Sequence, residues 1–433
     1  MDRGVGAATF AFGLLSGVLL ALVAEELWPS KLGEDLAQYR EVRDFARESF
    51  VREVEADELV KLALTGMLRG LDEYSRYYDV EQSKVLARET QGRFRGIGAI
   101  FRRPLGAGRV LYPLADSPAA RAGLRVGDQF VMVEGTPLVD LNEAEFRALL
   151  SSPPGDSLEA TVLGVDGQER ELVIRLGSVI DPTVRHAHLI EPARGVGYVA
   201  ITSFSSETPA EFDRSFDFLR RRGAEALILD LRGNLGGVLE SAVAIAQRFV
   251  QRGVIVSTEG RGDPLSYRAD PDAAWYLGTP LVVLVDGETA SSSEVLAGAL
   301  QDHRTAVLVG APTYGKGMVQ TIRRFLRWGT QGKVTSSYYY SPTGRNFERS
   351  ADPGRDYGIL PDILVEPTGP ERAALLGFLR SYGPGPEEVP ALEAWEEAEG
   401  LDLIEELPRD PQLEAALGLL AGRRPGPQPL DTK

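Results

Sequence analysis

The chain has 433 residues, enough for about three domains at roughly 150 residues each, and its 43% hydrophobic and 25% charged content is that of a folded protein. A formal net charge of −16 excludes a nucleic-acid surface and works against broad adhesion to anionic lipid. With no cysteine, disulfides, thiolate zinc sites, iron–sulfur clusters and a thiol nucleophile are excluded. Only six of the 47 basic residues are lysines, so a lysine inside an apolar segment is informative here.

Residues 1–30 hold an uncharged run of 20 residues at 5–24, the length that spans a ~30 Å hydrocarbon core as a helix. Arg3 precedes it and Glu25-Glu26 follow, which orients the later chain outside the cytoplasm. A retained N-terminal transmembrane helix is the expectation, with a signal peptide cleaved near Ala24 as the alternative. Residues 31–91 form an N-terminal helical region: through residue 80 apolar positions recur at three and four, as in Leu59, Leu62, Ala63, Met67 and Leu71.

Residues 92–178 change character. Short β-rich runs (97–101, 110–114, 130–134, 158–163, 171–176) alternate with Gly/Pro turns and two short helices near 117–122 and 141–150. From 179 to 367, apolar strands at 196–201, 226–231, 281–285 and 306–309 alternate with amphipathic helices at 210–222, 237–251 and 291–301, the order of an α/β sheet. Residues 368–433 are an acidic, proline-punctuated extension, helical in two pieces and without legible chemistry.

Chemistry concentrates in two segments. Asp286-Gly-Glu-Thr-Ala-Ser-Ser-Ser-Glu294 lies between a strand and a helix, where a serine is exposed and first-turn N–H groups can stabilise negative charge. A capping box from Ser291 to Glu294 explains the same residues without catalysis. Tyr314-Gly-Lys-Gly-Met-Val-Gln320 sets Lys316 between glycines, so backbone can approach it closely, and Gln320 four positions on can share its face. A free lysine titrates near pH ~10.4, and desolvation lowers that value toward a usable general base. A surface lysine in a turn is the plain alternative. His186 and His188 could hold a metal on one strand face, but no HExxH accompanies them, and no metal or cofactor is assigned. His303, at a helix end, reads as capping or packing.

Together the two segments resemble the C-terminal processing peptidases, or tail-specific proteases, whose motifs are similar to SASASE and GKGxVQ. This sequence reads TASSSE, with Thr289 and Ser292 in place of Ser and Ala. The resemblance implies Ser291 as nucleophile, Lys316 as base and Gln320 as its support. Leu229-Asp-Leu-Arg-Gly-Asn-Leu-Gly-Gly237 resembles the LDLRxNPGG loop, with Leu235 where proline is usual. It implies an oxyanion hole from the backbone N–H groups of Gly237 and Ser292; a tight turn alone would also use Gly236-Gly237. Residues 66–78 and 337–365 add further similarity.

The 92–178 region resembles a bacterial PDZ domain, with Gly96, Ile97 and Gly98 as a nest for a terminal carboxylate. The implied fold is mixed α/β: a protease core similar to the crotonase and Clp-peptidase folds, an inserted β-rich PDZ domain and the N-terminal anchor. The implied function is a serine endopeptidase that recognises substrate C-termini, acting outside the cytoplasm on unfolded or C-terminally exposed proteins. It needs no cofactor, metal or nucleic acid, and a homo-oligomer is compatible with it. The rival is a membrane-anchored PDZ scaffold that binds C-termini without cutting. A metallopeptidase lacks ligands.

Overall fold

The computed structural model describes residues 31–101, 108–151, 155–349, 357–402 and 407–422, and these fall into two compact units, one of residues up to 79 with 322–334 and one of the rest. The run at 5–24 lies outside the described residues, and among those described no helix is long and apolar enough to cross a membrane.

The first unit contains α1 (Lys31–Ser49), α2 (Ala56–Arg69) and β1 (Arg76–Tyr78). The helical pattern expected through residue 80 therefore breaks before its end. Asp72 Oδ1 accepts from the N–H groups of Tyr74 and Ser75, a turn that ends the helical stretch and turns the chain into the strand.

The second unit opens with α3 (Val80–Gln91) and a β-rich domain. This comprises β2 (Arg93–Gly96), β3 (Ala99–Phe101), β4 (Val110–Pro113), α4 (Pro118–Arg121), β5 (Gln129–Val133), β6 (Thr136–Pro137), α5 (Glu143–Ser151), β7 (Ser157–Leu163), β8 (Glu169–Arg175) and β9 (Gly177–Ile180). Its sheet runs β6-β5-β7-β8, with β2 on β9 and β3 on β4 as separate ladders. Phe101, Phe130 and Phe146 meet at 5.6–5.9 Å between ring centroids inside its core. The apolar run 97–101 is not one strand: Gly98 has φ 74°, and a side chain there would meet Ser117 Cβ at 2.5 Å.

The α/β core follows: β10 (Val184–Glu191), β11 (Val196–Ile201), α6 (Thr208–Arg221), β12 (Ala226–Asp230), α7 (Leu239–Phe249), β13 (Val254–Gly260), β14 (Leu265–Arg268), β15 (Leu281–Val285), α8 (Ser292–Asp302), β16 (Val307–Gly310), β17 (Met318–Phe325), β18 (Thr330–Tyr340) and β19 (Ile363–Leu364). The central sheet runs β10-β11-β12-β15-β16-β19 and is parallel from β11 onward, with β10 antiparallel at the edge. A second sheet pairs β18 with β13 and β13 with β14. Residues 331–333 of β18 pair with β1 in the first unit.

Strand alternation sorts the central core onto two faces. Val199, Ile201, Leu227, Leu229 and Val283 pack on α6, α7 and α8, while Tyr198, Ala200, Ile228, Val282 and Leu284 face the other way. The tail covers that second face. Among its described residues it forms three helices rather than two pieces: α9 (Gly369–Arg380), α10 (Val389–Glu399) and α11 (Pro411–Leu420). Leu375, Phe378 and Leu379 of α9 and Leu413, Ala416 and Leu417 of α11 close the sheet. Leu392 and Trp395 of α10 pack instead on Leu111, Tyr112 and Leu114 of the β-rich domain.

Candidate active site

Parallel strands deliver the key loops to one edge of the sheet. After β12 the chain enters Leu231–Val238, and after β15 it enters Asp286–Ser291, and the two loops are stitched together. Asp286 Oδ1 accepts from Gly233 N at 3.0 Å, and Thr289 Oγ1 donates to Leu231 O at 2.9 Å. Ala290 N and Ser293 Oγ both donate to Asn234 O, at 2.9 and 3.0 Å. Asn234 is itself held by its side chain, which donates to Ile201 O and accepts from Gly236 N.

Ser291 sits at the start of α8 with φ 60° and ψ −119°, backbone that an L-residue rarely adopts and that costs about 1–3 kcal/mol to hold. Gly236 packs against it so closely that a side chain there would meet Ser291 Cβ and Ala290 O at 2.8 Å each. Ser292 Oγ donates to Gly237 O at 2.9 Å. Ser292 N lies in the first helical turn, where N–H groups have no intrahelical acceptor, and no described group accepts from Gly237 N. Two amide donors thus flank the Ser291 turn.

The junction with the lysine loop is Glu294, which is fully buried. Its Oε2 accepts from Ser291 N and from Lys316 N, each at 2.8 Å, and its Oε1 accepts from Thr313 Oγ1 at 2.6 Å and Gly315 N at 2.7 Å. The Ser291 and Lys316 backbones therefore lie within two hydrogen-bond lengths of one another. Thr313 Oγ1 accepts from Ile359 N, so its own hydrogen is free for Glu294, and all four neighbours of the carboxyl donate to it. Burial pushes the Glu294 carboxyl above the usual range, against the pull of these hydrogen bonds. The expected half of the capping box, Glu294 to Ser291 N–H, is present, but Glu294 also anchors the lysine loop.

Lys316 is half-buried, and Gly317 N donates to Glu348 Oε2 at 2.6 Å. Gln320 lies on β17, where its Nε2 donates to Thr335 Oγ1 at 2.8 Å while its buried Oε1 has no partner. A buried amide oxygen without a donor is costly, and it is an acceptor available to an amine.

Beneath the site, Arg232 is wholly buried and donates to Asp230, Asp410 Oδ2 at 2.9 Å and Gln412 Oε1 at 2.9 Å. Tyr198 Oη donates to Asp230 at 2.7 Å. Burial opposes the guanidinium charge, but the two carboxylates outweigh it and hold Arg232 firmly protonated. Sequence reasoning missed Asp410 and Gln412 because they stand some 180 residues away in a tail that shows no motif.

In the β-rich domain, Gly96 pairs with Gly177, while Ile97 O accepts from Ala119 N and Gly98 O from Leu114 N. No described group accepts from the Ile97 or Gly98 N–H. His186 Nε2 donates to Phe378 O at 2.9 Å and His303 Nε2 to Val254 O at 2.7 Å, so both are structural contacts.

Comparison with known proteins shows the family. Residues 195–365 match Peptidase family S41, and residues 109–164 match a PDZ domain. The chain is 31% identical over 350 residues to a carboxy-terminal-processing protease of Bartonella bacilliformis, covering 78% of this chain and 77% of that one. It is 34% identical over 327 residues to a carboxyl-terminal-processing protease of Synechocystis, covering 74% of each. A solved structure named photosystem II D1 C-terminal processing protease is 29% identical, with a TM-score of 0.42 over 76% of this chain and 92% of that one. The family match and the two sequence relatives favour the enzyme over the binding-only scaffold: the chain belongs to the carboxy-terminal-processing proteases of peptidase family S41, serine-type endopeptidases that carry a PDZ domain.

Proposed function

We propose that this chain captures proteins by their C-termini and cleaves them with Ser291 as nucleophile and Lys316 as base. The observation that carries the reading is the single Glu294 oxygen that accepts from both Ser291 N and Lys316 N. In this mechanism neutral Lys316 takes the Ser291 proton as Oγ attacks the peptide carbonyl. The amides of Gly237 and Ser292 receive the developing oxyanion, donors of a kind worth about 3 kcal/mol of barrier each. The ammonium of Lys316 then protonates the leaving amine, and the neutral amine activates water to release the acyl group. The orphan Oε1 of Gln320 suits an acceptor that orients the amine.

Substrate capture falls to the PDZ domain, where the Ile97 and Gly98 N–H groups are free to meet a terminal carboxylate. The core reads as a relative of the crotonase and Clp-peptidase folds, on its parallel strands and the nucleophile at the start of α8. The uncharged run at 5–24 reads as an anchor that holds the catalytic part outside the cytoplasm. A mature N-terminus near Glu25 would make it a cleaved signal instead.

The deciding experiment incubates the chain with unfolded proteins ending in a free apolar residue or its amide, beside Ser291→Ala and Lys316→Arg. Cleavage should vanish in both variants, since guanidinium cannot deprotonate in a protein, and amidation should raise KM. Near-native cleavage by Lys316→Arg would sink the serine–lysine mechanism. Equal handling of free and amidated ends would remove the PDZ role.

A further inference from the structure

The tip of the β17–β18 hairpin departs from the rest of the molecule in both charge and polarity. The chain carries 63 acidic against 47 basic residues, yet the stretch from Met318 to Lys333 holds no acidic residue. Arg323, Arg324 and Arg327 are all exposed, and among the described residues none of them makes an ion pair. Beside them in the chain stand apolar side chains in water: Leu326 is 88% exposed, Trp328 65% and Ile322 41%.

The tip is a defined turn. Trp328 N and Gly329 N both donate to Phe325 O at 3.0 Å, and Gly329 takes φ 66°. The Arg327 guanidinium lies 5.6 Å from the Trp328 ring centroid, over its face. Because successive strand residues point to opposite faces, Arg323 and Arg324 put positive charge on both sides of the hairpin. The cations therefore collar the apolar tip.

Edge protection accounts for part of this. Among the described residues β17 pairs only with β18, and arginines on an open edge discourage sheet extension. That leaves Leu326 and Trp328 unexplained, since a protective tip would be polar. An apolar wedge with a tryptophan, ringed by arginines, matches the interface of an anionic bilayer, where tryptophan sits at headgroup depth and cations meet lipid phosphates. We propose that residues 322–328 insert into the headgroup layer of an anionic membrane. A lipid surface supplies negative charge all round the tip, which suits cations on both faces better than a one-sided protein contact. The net charge of −16 repels such a surface elsewhere and confines the contact to this hairpin.

The absence of cysteine allows a direct test in the full chain. Leu326→Cys carries an environment-sensitive dye, and Val139→Cys, at a residue also 88% exposed, serves as the comparison. Phosphatidylcholine vesicles with phosphatidylglycerol should raise emission at position 326 by roughly twofold or more with a blue shift, and salt should diminish it. Pure phosphatidylcholine should produce little change, and position 139 should not respond to either. Reversing Arg323, Arg324 and Arg327 to glutamate should abolish the response while leaving peptide cleavage intact. An unchanged dye at 326, an equal response at 139, or a response to charge-reversed protein would overturn the proposal. A shift that grows with protein concentration in the absence of vesicles would assign the tip to a second copy, and would overturn it as well.

Discussion

At the residue scale, two departures from the resembled motifs fall on the two segments, 231–238 and 286–294, that hydrogen bonds join. Leu235 replaces a proline that would stiffen the loop before Gly236, and Ser292 replaces an alanine and donates to Gly237 O. Proline restricts a loop by limiting its backbone freedom, and a hydrogen bond of about 0.5–1.5 kcal/mol restricts it from outside. Ser292→Ala should therefore lower kcat by roughly 2- to 10-fold with KM unchanged, and Leu235→Pro in the same chain should restore most of the loss. Steady-state kinetics on the two single variants and the double variant checks this; strictly additive effects would mean the two positions do not compensate. Glu294 is the more severe case. Glu294→Gln keeps the shape but turns an amide donor toward N–H groups that need an acceptor, so cleavage should fall by at least about 100-fold, with stability lost by about 2 kcal/mol in urea titration. Retention of full activity in Glu294→Gln would show that the carboxylate does not hold the two loops together.

At the scale of elements, the tail is part of the core. Without α9 and α11 the face of the sheet formed by Tyr198, Ile228, Val282 and Leu284 would lie open. Asp410 caps α11 by accepting from Gln412 N and Leu413 N, and it also pairs with Arg232 of the loop that follows β12. Asp410→Ala should destabilise the protein by about 3 kcal/mol, because a buried guanidinium loses a partner and a helix loses its cap. A midpoint within error of the parent would mean that Asp230 and Gln412 suffice for Arg232. The strands at 196–201 and 281–285 were legible because buried parallel strands are continuous apolar runs of β-branched residues. β14, β17 and β18 were not, because their half-exposed segments, polar and broken by arginines or tyrosines, lack that run, and in β13 the run stops at Val254-Ile255-Val256 before polar residues. The serine and lysine loops were legible as local motifs. Their junction at Glu294 was only half legible: sequence shows a three-residue capping relation, while the 22-residue reach to Lys316 exists only in space. The third tail helix was missed because proline and glycine punctuation shows where helices break but gives no count of the pieces.

At the scale of the whole molecule, stability should depend on pH through two histidines on the edge strand β10. His186 donates to Phe378 O and stacks on the Phe378 ring at 3.9 Å, joining the strand to α9. His188 lies beside Tyr198 at 5.2 Å. Both line a cavity of about 500 Å³ between β10, strand β3 of the β-rich domain and the tail segment Ser381–Pro384. Burial lowers each imidazole from 6.5 to about 4; nearby Arg185 adds to the effect on His186, and His186 adds to that on His188. Hydrogen bonding to Phe378 and the charge of Asp230 pull His186 the other way without reversing the shift. Between about pH 4 and 6.5 the unfolded chain therefore binds more protons than the folded one, so stability is full above 6.5 and declines as pH falls toward 4. The loss should be on the order of a few kcal/mol. Buried Glu211, Glu294 and Glu388 have raised values, and their protons, held in the folded state, oppose this slope. The histidine contribution is therefore read as a difference between proteins. Urea titrations above pH 6.5 and near pH 4 should show a clearly smaller acid loss for the double variant His186→Gln, His188→Gln than for the parent. An identical loss in both would assign acid sensitivity to other groups and mean that the histidines titrate alike in the folded and unfolded chains.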